Sequence, residues 1–524
     1  MKEMNYLAFK EMLLSGGNNL CNNCEQINAL NVFPVPDGDT GTNMKMTYTS
    51  GLNEVMDGNY DDIGSIAKVF SKNMLMGARG NSGVILSQIM KGFYKSVDGK
   101  KSINAVDMAN AFLNGARLAY KAVMRPVEGT ILTVIREASD LGFEYVKSNP
   151  NCTIESYIDV LVSEAETSLA TTPDLLPVLK ESGVVDSGGA GLVSILKGFQ
   201  AYLNGNPVKL ADVTEETEID RGYLVEVEAR ITGEFDEDKL VNRLNRNCQE
   251  VKTLVKGEQL LVSVNSPKPG EVLNAIQSGC YLEKIRVEKI TNDVQAELVF
   301  EDEEETGKYA IIAVCNSSGI ADLFNKLGVK HIVSGGQTMN PSTEAFVHEI
   351  EKTKAEHIII LPNNSNIIMA AKQAKDVLKK RDIAIVETTS VPEGIAACVA
   401  FDEENDMATN VSNMSEAIKN VKTGSVTTAV KDTSYYNLDI HKDDYIGISG
   451  KNIAVSTKDV MDATRELLKV IIDDDSCFVT VIYGKDITHK QAEEIGNFLE
   501  SSFGIEYELI DGKQELYPFI IGVE

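Results

Sequence analysis

A chain of 524 residues is longer than one hydrophobic core accommodates and implies about three domains. Its formal net charge of −28 argues against a nucleic-acid partner, because a phosphate backbone would be repelled rather than neutralised. No apolar run approaches the roughly 20 residues that span a bilayer, and MKEMNYLAFKEMLLSGG at the start scatters charge through any signal-peptide core, so a soluble cytoplasmic protein is expected.

Residues 1–205 read as helical throughout. Met44, Tyr48, Leu52 and Val55 recur at helical spacing, as do Ile63, Ile66, Phe70 and Met74, and later Val106, Ala109, Phe112, Ala116, Ala119 and Val123. That pattern predicts an all-α bundle or barrel. The polar stretch VTEETEID, 213–220, reads as a linker. A middle domain over 220–300 follows. GYLVEVEARI (222–231) reads as a strand and DEDKLVNRLNRNC (236–248) as a helix. TLVKGEQLLVSVNS (253–266) holds one or two strands around a Lys-Gly turn, PGEVLNAIQSG is a helix and YLEKIRVEKI (281–290) a strand. The order is that of a small α+β plait of the split-βαβ kind. An acidic run at 301–305 marks the next boundary. Beyond it, over 306–524, strands such as YAIIAVC, HIIILPNN and DIAIVETTS alternate with helices in α/β order, with a division into two subdomains expected near 440.

Chemistry-bearing residues collect in four turns of the helical part. In NVFPVPDGDTGTNM, two prolines oppose regular structure and Asp37 and Asp39 stand one residue apart between glycines. Carboxylates so placed can converge on a hard cation carrying a phosphate, with Thr40, Thr42 or Asn43 capping the helix behind them. They can equally form an Asx-rich turn that needs no ligand. GARGNSGVILSQI sets Gly77, Gly80, Asn81, Ser82 and Gly83 before an amphipathic helix, without the Gly-Lys-Ser/Thr ending of a Walker A loop. Glu128-Gly129-Thr130 precedes another helix, and Asp186 with Gly188 occupies a glycine-rich turn. Such turns gathered at one end of a bundle would make a phosphate site. Eight cysteines over this length are no disulfide framework, and Cys21 and Cys24 form a lone CxxC without a second pair.

Residues 28–44 together with the Gly-Ala-Arg-Gly-Asn-Ser-Gly loop resemble the nucleotide-binding L domain of dihydroxyacetone kinases and, more closely, the catalytic A subunit of bacterial fatty acid kinase. The stretch 335–343, the Asn366-Ile-Ile-Met-Ala-Ala run and the Leu516-Tyr-Pro-Phe-Ile-Ile segment extend that resemblance to the end of the chain. It implies a helical barrel that binds ATP through two Mg²⁺ ions, with Asp37 and Asp39 as ligands. Dihydroxyacetone kinases carry a third aspartate where this chain has Val32, and Asn31, the nearest oxygen donor, is the candidate replacement. Thr40, Asn43, Gly77, Gly80, Asn81, Ser82, Gly83, Thr130, Asp186 and Gly188 would line the nucleotide. The implied reaction moves the γ-phosphoryl of ATP to a fatty acid presented by a separate acyl-binding B protein, which docks on the carboxyl-terminal region. A homodimer is also implied.

The chain departs from that family in the middle domain, where a Gly-Tyr-Cys segment and a His-x-His pair ordinarily build a metal site. Leu224, Ser263 and Asn265 stand at those positions, so no zinc is expected, and Cys248 and Cys280 read as core thiols. Two other functions stay open on the sequence: a kinase for a small hydroxyl compound such as dihydroxyacetone, and a nucleotide-binding scaffold with weak or no transfer. The turns at 334–338 and 363–366 can bind an anion or serve as caps. His331, His348, His357, His441 and His489 read as structural or solvated.

Overall fold

Helix follows helix through the first two hundred residues. The computed structural model describes residues 1–32, 37–211, 222–232, 235, 237–245, 248–289, 307–336, 340–429, 432–435, 438–450 and 452–524. The Phe33, Pro34, Val35 and Pro36 stretch, the 213–220 linker, the acidic run at 301–305, residues 337–339 and the predicted element ends at 236, 246–247 and 290 lie outside these. The helices are α1 (Tyr6–Asn22), α2 (Cys24–Ala29), α3 (Thr40–Asp57), α4 (Ile63–Met76), α5 (Gly80–Val97), α6 (Ala105–Ala122), α7 (Ile131–Ser148), α8 (Ile154–Leu175), α9 (Pro177–Ser182) and α10 (Ser187–Leu203).

Among the described residues eight of these close a ring. α1 packs on α3, α3 on α4, and each helix from α4 to α8 on the next. α8 then packs on α10, and α10 returns to α1. The expected barrel is therefore present. Its apolar stripes face inward: Met44, Tyr48, Val55, Ile63, Ile66, Phe70 and Met74 are buried. Phe93 of α5 stacks on Phe9 of α1 at 5.8 Å and meets Phe112 of α6 edge-on at 5.2 Å, which ties three walls together at the centre. Val106 departs from its predicted stripe and is exposed, because α6 begins there with a capping box between Asn104 and Asp107. Two seams close at backbone contact. A methyl on Gly198 would lie 2.6 Å from Gly16 Cα, and one on Gly92 2.6 Å from Gly115 Cα, so only hydrogen fits there.

One buried hydroxyl in this core is unused. Tyr157 is fully buried and its Oη has no partner among the described residues. Tyr157→Phe removes that unsatisfied group without changing shape, and should stabilise the chain by about 1 kcal/mol, read as a higher urea midpoint.

Residues 211–306 form a separate compact unit. Its elements are β1 (Tyr223–Ile231), α11 (Glu237–Leu244), β2 (Gln249–Lys256), β3 (Gln259–Ser266), α12 (Pro269–Gln277) and β4 (Cys280–Lys289). The antiparallel sheet runs β2-β3-β1-β4, the order of the expected plait. Val225, Val227, Val262 and Val264 face its core with Cys280, and Cys248 packs against them. Leu224 pairs with Asn265 and Glu226 with Ser263, which puts the departed positions on the opposite face.

The first 210 residues and residues 307–524 belong to one compact unit. Its carboxyl-terminal part holds β5 (Tyr309–Cys315), α13 (Ser318–Lys326), β6 (His331–Ser334), α14 (Thr343–Lys352), β7 (His357–Leu361), α15 (Ile368–Val377), β8 (Asp382–Ile385), α16 (Val391–Val399) and α17 (Met407–Ala417). The four strands form an all-parallel sheet in the order β6-β5-β7-β8, and β5, covered on both faces, is buried along its whole length.

The chain then forms β9 (Lys422–Thr428), β10 (Thr433–Tyr435), β11 (Leu438–Ile440), β12 (Tyr445–Ser449), β13 (Asn452–Thr457), α18 (Val460–Ile471), β14 (Phe478–Tyr483), α19 (His489–Phe503), β15 (Glu506–Asp511) and β16 (Phe519–Val523). A six-stranded sheet runs β13-β12-β9-β16-β14-β15. Because β9 sits in the middle of it, this second sheet begins near 422, and the division expected near 440 falls inside it.

The helical ring docks onto the parallel sheet through a shared core. Ala78 and Val84, at the start of α5, pack with Phe346 and Ile350 of α14 and Ala370, Ala371 and Ala374 of α15. Buried Gln88 donates to Gln373 Oε1 at 2.9 Å, and Gln373 donates to the carbonyl of Leu75 at 2.6 Å. These contacts bring residues from the far end of the sequence onto the amino-terminal turns of α3 and α5.

Candidate functional site

The starts of α3, α5, α7 and α10 meet at one end of the ring. Ser187, first residue of α10, donates to Thr40 Oγ1 of α3 at 3.2 Å, and Thr40 in turn donates to Asn31 Oδ1 at 2.6 Å. At Gly188 an added methyl would lie 3.4 Å from Ser82 Oγ of α5 and 3.3 Å from Ile131 Cβ of α7. Buried Asp186 caps α10 by accepting from Gly189 N at 2.7 Å, and also accepts from the amide of Ile131. It therefore ties α7 to α10. Burial pushes its carboxyl up to about 6, and the two amides act against that rise. Asp186→Ala leaves both amides without their acceptor, and should cost about 2 kcal/mol in a denaturant titration, with Asp186→Asn losing less because it keeps an oxygen.

Asp37 and Asp39 lie in the middle of this cluster. Asp39 occupies the cap position of α3, yet its side chain makes no capping bond. The amide of Thr42 is satisfied instead by Asn28 Oδ1 of α2 at 3.1 Å. The capping alternative for Asp39 is thereby excluded, and neither Thr40 nor Thr42 caps its own helix. Asp39 accepts from Asn340 Nδ2 at 2.6 Å, and Asp37 from Asn366 Nδ2 at 2.6 Å. Both donors come from the carboxyl-terminal part. Asp37 also accepts from Asn31 Nδ2 at 2.5 Å, while the oxygen of Asn31 is taken by Thr40 and Ser187. That oxygen, the candidate third ligand, is turned into the network of helix starts, and Asn31 holds Asp37 in place.

Among the described residues no ion pair joins either aspartate to a lysine, arginine or histidine. Burial and then the charge of Asp39 push the Asp37 carboxyl up to about 8, and burial raises the Asp39 carboxyl as well. A half-buried and a buried carboxylate held close together without a cation are an unfavourable arrangement that a divalent ion relieves. No group of three or more His, Cys, Asp or Glu gathers among the described residues. The protein thus offers two carboxylates and neutral oxygens, the hard donor set that suits Mg²⁺ on a phosphate.

The other expected residues divide. Asn43 and Gly80 face each other, with a methyl on Gly80 only 2.7 Å from Asn43 Nδ2, and Asn81 donates to Asn366 Oδ1 at 3.2 Å. Ser82 and Gly188 are neighbours, as described. Thr130 caps α7 and donates to Val127 O at 2.7 Å, so its hydroxyl is used within its own turn. Gly77 ends α4 against Ser50 and Gly83 lies against Thr47, both as packing positions between α3 and its neighbours. Asn363 and Asn364 are turn formers, bonded to Thr388 and to the amide of Asn366. Asn340 and Asn366 were not read from sequence as parts of this site. Neither Asn340 before its proline nor Asn366 at the end of the 363–366 turn carries a local signal that it will meet a loop some 300 residues away.

Beside the cluster a cleft of about 530 Å³ opens between the two carboxyl-terminal sheets, at the carboxyl ends of the parallel strands. Val314, Ile367, Val391 and Ile520 give it apolar walls, and Asn364, Ser365 and Ser390 line it as well. Tyr517, also in its wall, has its phenol raised by burial and then by the charge of Asp37.

A family model described as the DAK2 domain matches residues 34–201, and one described as the C-terminal part of fatty acid kinase A-subunit-like proteins matches residues 310–524. Protein YloV of Bacillus subtilis is 41% identical over 547 residues, covering 99% of this chain and 98% of its own length. The chain belongs to the fatty acid kinase A-subunit-like family. An uncharacterized protein of Staphylococcus epidermidis, SERP0792, is 38% identical over the full length of both chains. Among solved structures, DegV family protein Cg2579 of Corynebacterium glutamicum overlaps 42% of this chain and 97% of its own at 11% identity and a TM-score of 0.34. A DegV family protein of Thermus thermophilus, described for fatty acid binding, overlaps 41% and 99% at 13% identity and a TM-score of 0.31. In this family member the helical ring is the DAK2 part and the two carboxyl-terminal sheets are the part shared with fatty acid kinase A-subunit-like proteins. No helix among the described residues is long and apolar enough to cross a membrane.

Proposed function

We propose that the chain transfers the γ-phosphoryl group of ATP to the carboxylate of a fatty acid held by a separate acyl-binding protein, giving an acyl phosphate and ADP. The observation that carries this reading is the pair of half-buried Asp37 and buried Asp39, with no cationic partner among the described residues, where four helices begin. Mg²⁺ bound there would neutralise the charge of the transferring phosphates. The amino-terminal turns of α3, α5, α7 and α10 supply the anion-binding ends, with Ser82, Gly188 and the amides beside them lining the phosphates.

An acceptor carboxylate, with an ordinary pKa of about 4, is ionised already and needs no general base. The environment fits that chemistry. His331 of β6 lies 3.0 Å from Glu349 of α14, and His357 of β7 lies 2.6 Å from Asp382 of β8. The cleft beside Asp37, apolar walls with polar groups among them, suits the carboxyl end of an acyl chain brought to the γ-phosphate by the partner. What remains for the protein is positioning and charge neutralisation, on which phosphoryl transfer mainly depends.

The test supplies the purified full chain with Mg²⁺-ATP and a fatty-acid-loaded acyl-binding protein, and traps acyl phosphate with hydroxylamine as the hydroxamate. The expected result is hydroxamate only when the loaded protein is present, and none when dihydroxyacetone replaces it. Phosphorylated dihydroxyacetone, or ATP hydrolysis indifferent to either acceptor, would overturn the assignment.

A further inference from the structure

One polar atom at the acid pair is left out of every hydrogen bond described above. Asn340 is 1% exposed and gives its Nδ2 to Asp39, with Asn43 Oδ1 a further 3.5 Å neighbour. Its Oδ1 is buried and has no partner among the described residues. Burying an amide oxygen unpaired is unfavourable, and a chain free to turn would hydrate it or bond it.

Asn340 is not free to turn. Arg79 donates through Nη1 to its carbonyl at 2.8 Å, and the amide of Thr343 donates to Ala78 O at 3.2 Å. Pro341 confines the backbone of Asn340 to extended conformations, and Ser342 caps α14 immediately after it. The docking of α14 and α15 on α5 thus holds one unsatisfied oxygen on the same amide whose nitrogen bonds Asp39. Asn366 is different: its nitrogen goes to Asp37 and its oxygen accepts from Asn81, so both ends of that amide are used.

We propose that Asn340 Oδ1 is an oxygen ligand of the divalent cation at Asp37 and Asp39, supplied by the carboxyl-terminal part of the chain. This placement rests on the reading of the acid pair as a metal-nucleotide site. The chemistry favours a neutral ligand there. A hard cation takes carbonyl and amide oxygens alongside carboxylates, and an amide adds a donor without adding a third repelling charge. The metal site is then composite, complete only when the helical ring and the parallel sheet are docked. Asn366 is a positioning residue that orients Asp37 within it.

Mn²⁺ is the probe, titrated into the full chain with ATP and followed by the electron paramagnetic resonance of the free ion. Asn340→Ala should weaken Mn²⁺ binding about tenfold with the melting temperature unchanged. Asn340→Asp, which restores an oxygen, should return the affinity to at least that of the unaltered chain. Equal Mn²⁺ affinity in the unaltered chain and in a folded Asn340→Ala variant overturns the proposal while leaving the metal-nucleotide reading intact. An unaltered chain that binds no Mn²⁺ with ATP overturns both. Should Asn340→Ala fail to fold, Asn340→Asp decides: retained affinity supports the ligand role, and a tenfold loss contradicts it.

Discussion

Replacing Asp37 and Asp39 together by asparagine should abolish Mg²⁺-dependent ATP binding and lower phosphoryl transfer by at least about 10³-fold, because a metal ion contributes several kcal/mol of charge stabilisation. The same change should make the metal-free chain more stable above neutrality. In the folded chain the Asp37 carboxyl is pushed up to about 8, by burial and then by Asp39, whereas in an unfolded chain it stands at about 3.9. Between those values the folded state binds a proton that the unfolded state has released. The stability this proton contributes is fully present at the acid end and is lost as pH rises through about 8. Asparagine removes that dependence, since it has nothing to ionise. Melting curves across pH 5 to 9 should therefore slope downward for the metal-free parent and lie flatter and higher for the double variant. A double variant that melts lower at pH 8, or still binds ATP in a Mg²⁺-dependent way, would falsify the placement of the site.

Gly80→Ala should cost at least about 100-fold in Mg²⁺-ATP affinity for a different reason, since misplacing a positioning group by about 1 Å carries such losses. Gly80 begins α5 at φ +58°, a conformation that costs an L side chain roughly 1–2 kcal/mol. The added methyl would also lie 2.7 Å from Asn43 Nδ2 and 3.5 Å from Asn340 Nδ2. Both amides belong to the ring of groups around Asp39, so relief of the clash displaces the site itself. The helix beyond the first turn has Ile85, Ile89 and Phe93 buried in the barrel and should stay folded. Circular dichroism close to that of the parent, together with the loss of nucleotide affinity, is the expected pair of results. Unchanged affinity would mean that the turn stands clear of the nucleotide.

Much of this was legible in the sequence because it is local. Two acids at i and i+2 between glycines, a glycine-rich turn before an amphipathic helix and the Asp186 turn each carry their own short-range pattern, and the structure brings them to one end of a ring. The middle plait was legible for the same reason: its strands alternate, and Lys256-Gly257 marks the hairpin with Gly257 at φ +62°. Long-range docking was not legible. Ala78, Val84 and Gln373 carry no local pattern that marks a docking face, and the residues near Asn340 and Asn366 carry none that sends their amides to Asp39 and Asp37. Strand β9, Lys-Thr-Gly-Ser-Val-Thr-Thr, has too few apolar residues to declare itself, which is why the second sheet was expected to begin nearer 440. Asn31 was read as an oxygen donor from its position alone, and only the contacts of Thr40 and Ser187 reveal which end of its amide faces the acids.

The most direct test of the metal-nucleotide site is a calorimetric titration of ATP into the full chain, once with Mg²⁺ and once with a chelator. The account predicts one nucleotide bound per chain in Mg²⁺ and affinity reduced by at least about tenfold without it, as expected where two carboxylates face the phosphates through a cation. Equal binding in chelator, or none in either condition, would contradict it.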